Sequence, residues 1–429
     1  MVNRMPTSAE GTVAGSPTAL VRAAAQALHE QFFEPLAVAN LYRDAWEGAT
    51  AALARAGVAP LPPAPAYPAD PVAAHALHEA TFPALERLAA RRLGPVEITV
   101  AALDELLRRR RDGHTFLFTP RMLQRARSMS GPPSRTFGLI LSNTSPLTVA
   151  DVLPRGPAQR AGLRRGQTVL TINGEPAAHL RRLEALALMD QQEGAANTLT
   201  VRAAGGETAA VELPSDPLPP ISTAILPGPF GLLRIDGFTM SVEETDGLRA
   251  ALASFQQAGA LGWIIDMRWN GGGVSIQLSR LLVDRGRLFS RQRHAEARLP
   301  DGTVLVMRED IEADGTALPF QRPLVVLIGP GSTSGAESFA GPLQAFGRAT
   351  LVGERTAGWC GAARRVELAP DWVILLAAWQ TVFGPEERRA NRVGVTPDVV
   401  VTPSPQDEAA GRDPQLEAAL DILRSETAR

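Results

Sequence analysis

A serine at a sharp turn between a strand and a helix is the feature of this chain best placed to do chemistry. Leu324–Ile328 is a short apolar run, β-branched in part, of the kind that forms a buried strand. Gly329 and Gly331 break it. Ser332, Thr333, Ser334, Gly335, Ala336 and Glu337 then lead into a helix expected over residues 336–346, and a second apolar run, Ala349–Val352, follows. A serine there can stand exposed at the end of a sheet. Unpaired N–H groups and the positive end of the next helix can stabilise an oxyanion beside it. The same residues also describe a plain helix N-cap. Upstream, Trp263–Asp266 reads as a strand, followed closely by Asn270 and then Gly271, Gly272 and Gly273. Glycines let backbone N–H groups approach a substrate carbonyl, and they equally serve a tight turn needing positive φ.

A serine hydroxyl needs a base. All 43 basic residues are arginine, and the chain has no lysine. Arginine stays protonated and cannot act as the base. Six histidines remain: His29, His75, His78, His114, His179 and His294. The first three fall on expected helices. His75 and His78 have the spacing to share a metal, but no third ligand presents itself, so no metal is expected and both read as surface residues. His294 falls on an expected hairpin. His114 stands in the segment Arg111-Asp112-Gly113-His114-Thr115-Phe116, as a loop residue able to cap a helix or to act as a base.

The elements that must position these groups have several textures. At 429 residues the chain is expected to hold two to four domains. Its net charge of −2 gives no global field favouring nucleic acid. The single cysteine, Cys360, excludes intrachain disulfides. No run has membrane-spanning length, and residues 1–20 lack the apolar stretch of a secretory signal, so the expectation is either a cytoplasmic chain or one whose true start or leader is missing. Residues 1–17 are expected to be disordered, and residues 18–111 to form a helical domain with a proline-rich connector at Pro60–Pro71. Single helices are expected over Val72–Arg92 and Val100–Arg110. Residues 133–213 carry a glycine pattern and alternating strands. A linker covers 214–220. Strands and helices alternate through 221–404, which argues for an α/β domain, and a terminal helix and tail cover 405–429.

Two resemblances follow from these motifs. The strand with Asn-Gly-Gly-Gly, the Thr-Ser-Gly-Ala-Glu turn, the Val-Gly-Glu-Arg-Thr strand end and the Gly-Val-Thr-Pro-Asp close occur in that order. Together they resemble the S41 family of serine peptidases, the C-terminal-processing and tricorn-like proteases. Gly156-Pro157-Ala158-Gln159-Arg160-Ala161-Gly162-Leu163, with Gly166 and Ile172-Asn173-Gly174, resembles a PDZ domain. The resemblance implies a multidomain chain: an N-terminal helical domain, a PDZ-like β domain and a ClpP/crotonase-like α/β catalytic domain, with residues 112–132 joining the last. It implies Ser334 as nucleophile, with Ser332 next in line. The oxyanion site is expected at the Gly335 N–H with one N–H from Gly271–Gly273, Gly272 taken first. A PDZ-like groove implies strand addition of a peptide along Phe137, Gly138 and Leu139, with its C-terminal carboxylate held in a backbone nest.

The lysine of the processing branch falls on Trp359 here, so a Ser-Lys mechanism is excluded by composition. The Asp-x-His-Thr segment of the histidine-using branch falls on His114, which implies that residue as base. The third position, a glutamate in that branch, falls on Asn391, with Glu386 and Glu387 nearby. Asparagine can orient a ring nitrogen without stabilising its charge. Polypeptide substrates and no cofactor are implied, and the family's frequent export is set against the absent leader. The competing expectation is a non-catalytic protein of the same fold that binds peptides or apolar small ligands.

Overall fold

The computed structural model describes residues 15–118, 123, 137–142, 146–152, 156–178, 180, 182–189, 195–215, 221–238, 242–298, 304–315, 322–404, 406–407 and 412–428. Contacts divide the chain into two units. One comprises Met1–Gln124, Arg293–Met307 and Ala363–Trp379; the other comprises Arg125–Gln292, Arg308–Ala362 and Gln380–Arg429.

Proline and short polar side chains start the helices of the first unit. Ser16 accepts from the Ala19 N–H before the helix Pro17–Gln31, and Asp70 accepts from the Ala73 N–H before Pro71–Thr81. Both helices carry proline in the first turn, where the missing N–H has no partner to lose. The stretch expected as one helix over Val72–Arg92 is two, because Pro83 opens a new helix, Pro83–Ala89. Val38–Arg55 and Pro95–Arg108 complete the helical set. Leu20, Leu28, Phe32, Trp46 and Leu103 fill its core. Each fully buried aliphatic or aromatic side chain contributes roughly 1.5–3 kcal/mol.

The strand Phe116–Phe118 belongs to this unit. It pairs antiparallel with the strand Trp372–Phe383, Phe116 opposite Leu375 and Phe118 opposite Val373. Leu117, Trp372 and Ile374 share the helical core. The segment after residue 112 was expected to join the catalytic domain, 221–404; up to residue 118 it pairs with residues 373–375 of that span, and both share the core of the helices. His78, read as a surface residue, is fully buried. Its ring stacks on Tyr42 at 4.2 Å and its Nε2 bonds to the Thr18 carbonyl at 3.0 Å.

The second unit holds a small β domain and a parallel sheet. In the β domain Leu139–Leu141 pairs with Val149–Val152, and the strands Glu175–Pro176, Thr168–Ile172, Ala196–Arg202 and Thr208–Pro214 form a sheet in that order. Phe137, Leu141, Val169, Ala185, Met189 and Leu213 share its core. The larger sheet runs Val399–Val400, Thr350–Gly353, Leu324–Ile328, Gly262–Asp266, Phe230–Ile235, Ile221–Leu226. Its pairings are parallel except the last. Alternate side chains of the central strands face opposite layers. Ile265, Val326 and Ile328 pack with the helices Val242–Gln257, Ile276–Leu282 and Gly335–Ala345. Ile264, Val325 and Leu327 pack with Ala419 and Leu423 of the helix Pro414–Thr427. Arg268 ties that terminal helix down through Asp266 and Asp413 at 2.7–2.8 Å. Among the described residues no helix is long and apolar enough to cross a membrane.

Candidate active site

Two loops meet at the carboxyl ends of the parallel strands Gly262–Asp266 and Leu324–Ile328, where open α/β sheets place their ligands. Thr333 N–H donates to the Asn270 carbonyl at 3.0 Å and joins the loops. Ser332 is fully buried. It receives the Gly329 N–H at 3.0 Å and donates to the Met267 carbonyl at 2.8 Å. A serine so engaged braces the turn and has no free hydroxyl for attack. Ser334 differs. It is partly exposed, opens the helix Gly335–Ala345, and has φ 52° and ψ −108°. A non-glycine residue in that region is strained by about 1–3 kcal/mol, and such strain collects at functional turns.

The glycines are needed for closeness. A Cβ on Gly335 would stand 2.2 Å from the Gly273 carbonyl oxygen, and one on Gly272 would stand 2.8 Å from the Ser334 Cβ. The structure changes one expected role. Gly272 N–H donates to Asn270 Oδ1 at 2.9 Å, and Gly271 N–H donates to the Asp236 carbonyl at 3.2 Å. Among the described residues, the N–H groups of Gly335 and Gly273 have no acceptor, and Gly273 N lies 3.1 Å from the position of a Gly335 Cβ. Gly272 supports the loop by its small size, and Gly273 replaces it as the candidate donor.

Glu337 organises the next layer. It is fully buried and accepts four hydrogen bonds: from Thr356 Oγ1 at 2.6 Å, Gly358 N at 2.8 Å, Trp359 N at 2.8 Å and Ser334 N at 3.0 Å. Burial pushes its carboxyl up to about 7, while those donors pull it back. All four partners donate, so the arrangement suits the ionised form. One carboxylate thus joins the serine turn to the loop carrying Trp359. Glu337→Gln puts an NH2 where an N–H already donates. We expect it to cost roughly 1–3 kcal/mol of stability. Denaturant unfolding checks this, and an unchanged midpoint would deny the carboxylate its organising part. Cys360 follows in the same loop, fully buried, its Sγ 3.6 Å from Ser338 Oγ and its thiol pushed upward by burial.

Asn391 lies beside this loop in sequence-distant company. Arg392 N–H donates to the Gly358 carbonyl at 2.6 Å. Asn391 is buried, and neither its amide oxygen nor its nitrogen has a partner among the described residues. Glu387, a rival for its role, bonds to Arg308 and Gln292 instead. His114 belongs to the first unit, two residues before the strand Phe116–Phe118. Its N–H donates to Asp112 Oδ1 at 2.9 Å, its Nδ1 is buried without a partner, and burial pushes its pKa down to about 4. His29 bonds to the Leu36 carbonyl at 2.7 Å, and His75 bonds to Tyr42. His294 falls on the strand Arg287–Arg298, and His179 lies outside the described residues. In the β domain Phe137 is buried, Gly138 has φ 58°, and Leu139 begins its strand; Arg135 and Thr136 lie outside the described residues.

An α/β domain with a strained serine turn at its strand ends, preceded by a small β domain, defines a hydrolase-like architecture. Residues 229–401 match Peptidase family S41 and residues 148–203 match a PDZ domain. Ser334, Gly335, Gly272 and Asn391 fall within the first match, and His114 lies outside both. Peptidases of that family are serine hydrolases. A carboxyl-terminal-processing protease of Synechocystis sp. is 29% identical over 79% of this chain and 80% of its own length. The chloroplastic C-terminal processing peptidase of Tetradesmus obliquus is 28% identical over 64% of this chain and 60% of its own length. A solved photosystem II D1 C-terminal processing protease matches with TM-score 0.61 at 21% identity, over 96% of this chain and 99% of that one. That last likeness bears on the fold alone.

Proposed function

We propose that this chain cleaves polypeptides by a serine mechanism with a histidine base. Ser334 Oγ attacks the peptide carbonyl and passes its proton to His114. The Gly335 and Gly273 N–H groups receive the oxyanion. His114 returns the proton to the leaving amine, and an acyl-enzyme remains. Water, deprotonated by the same imidazole, clears it. Asn391 orients the ring without lending it charge. The observation that carries this reading is Ser334 itself: a strained, partly exposed serine beside two uncommitted N–H groups. Two buried groups left without partners, His114 Nδ1 and the Asn391 amide, support it. Unpaired buried polar atoms cost about 1–3 kcal/mol each, and a functional site is where they are retained.

A fluorophosphonate probe tests the proposal. It should label wild-type chain stoichiometrically. Absence of labelling and of turnover on unfolded polypeptides would instead favour the binding protein of the same fold, a reading favoured by the missing glutamate at position 391.

The relatives' names point to C-terminal segments as substrates. The PDZ-like domain is then expected to bind peptides with apolar, free C-termini along Phe137–Leu139. Amidation of the terminus should weaken binding about tenfold or more. Equal binding of the two forms in a titration would remove the carboxylate nest and leave strand addition intact.

A further inference from the structure

Two partly buried arginines of the second unit meet acids. Arg268 bonds to Asp266 and Asp413, and Arg165 grips Glu354 with two bonds at 2.7 and 2.9 Å. Arg182 does not. It opens the helix Arg182–Leu188 of the PDZ domain, whose Ala185 shares a core with Phe137 and Leu141. Its guanidinium carbon stands 5.6 Å from the centre of the Trp359 ring. No carboxylate pairs with it among the described residues. Burial pulls its pKa down to about 10, which still leaves it charged at neutral pH.

A cation over an indole face is attracted by the ring, and that contact uses none of its N–H donors. The donors of a guanidinium lie in its plane and point outward, which leaves them for an acceptor. The ring offsets only part of the cost of withdrawing the charge from water. The position is informative too. Trp359 N–H bonds to Glu337 Oε2, which also accepts from Ser334 N. Arg182 therefore reaches from the peptide-binding domain to a loop joined to the nucleophile's own backbone.

We propose that Arg182, held against Trp359, is a receptor for a carboxylate on the polypeptide substrate, and that it selects acidic groups in segments passing from the PDZ domain to the Ser334 turn. This rests on the peptidase reading for the identity of the ligand as a polypeptide. Carboxylate is the matching anion because a planar fork of donors fits its two oxygens. An acidic side chain and the α-carboxylate of the terminus share that chemistry.

The test uses the full chain carrying Ser334→Ala and fluorescein-labelled decapeptides. In one series a single Glu moves stepwise from the C-terminus, each peptide beside its Gln isostere. A second pair differs only in a free or amidated terminus. Anisotropy titrations should find a register in which Glu binds about tenfold or more tighter than Gln. High salt should weaken the difference. Arg182→Gln should erase it, and Arg182→Lys, which keeps the charge without the fork, should restore only part. A preference confined to the free terminus, and erased by Arg182→Gln, would assign the receptor to the α-carboxylate. No preference in any register, a preference that survives Arg182→Gln, or no binding at all overturns the proposal. Turnover by the chain with Ser334 intact is scored separately. Cleavage without an Arg182-dependent preference leaves the peptidase reading standing alone. An Arg182-dependent preference without cleavage does the reverse.

Discussion

Ser334→Ala is expected to abolish hydrolysis and fluorophosphonate labelling while leaving the thermal midpoint nearly unchanged. The Oγ is the atom lost. The Ser334 N–H keeps its bond to Glu337, and the Ser338 N–H keeps its bond to the Ser334 carbonyl at 2.9 Å. A second substitution sharpens the expectation. Ser334→Gly is equally inactive, yet it relieves the φ of 52° and should be more stable than Ser334→Ala by about 1 kcal/mol. Activity and strain then separate at one position. Labelling that persists in Ser334→Ala would place the nucleophile elsewhere. Ser332 is a poor substitute, because its hydroxyl is buried and bonded on both sides.

His114→Ala should lower turnover by on the order of 10³ or more, since nucleophile and base act as a unit. Asn391→Ala should cost less, because an amide contributes orientation and no charge. The pH profile carries a further signature. A free imidazole titrates near ~6.5, but burial holds His114 down to about 4 with no carboxylate among the causes. Only the neutral ring accepts the serine proton, so the rate should climb with pH through the region of 4 and be flat above it. A midpoint close to 6.5 would mean that the ring is solvated in the working enzyme. Stability moves the same way. The unfolded chain takes up the proton at ~6.5 and the folded chain only near 4, so this contribution is present above 6.5 and lost as pH falls between them. His78, also held at about 4 by burial, adds to the same acid loss. Near-normal turnover in His114→Ala would direct attention to His294.

What could be read from the sequence was local. Leu324–Ile328, the glycines after it and the helix after Ser334 announce themselves within twenty residues, because apolar runs and glycines act on their own backbone. The PDZ glycine pattern was legible for the same reason. What escaped depends on partners distant in the chain. Glu337 gains its donors from residues 19, 21 and 22 positions away. Its place at the start of a helix did not say what it would hold. Gly272 looked like an oxyanion donor until the Asn270 side chain took its N–H. His78 looked solvated on its helix until Tyr42, from another helix, lay flat against it. Arg182 carried no sequence signal at all, since nothing local marks a guanidinium that lacks a counter-ion.

The burial of Cys360 makes the molecule its own reporter. It is the chain's single cysteine, its thiol is buried against Ser338 on the helix that Ser334 opens, and its carbonyl accepts from Thr381 N–H at 3.2 Å. Alkylating reagents need a thiolate in contact with solvent. In the folded chain, modification must therefore wait for the loop carrying Trp359 and Cys360 to part from that helix. The rate of modification at low reagent excess, divided by the rate for the unfolded chain, is the equilibrium constant for that parting. No second thiol confuses the signal and no disulfide needs reducing. Ligands that tighten the serine turn will slow the clock, and substitutions that loosen it will quicken it, even in chains that no longer turn over substrate.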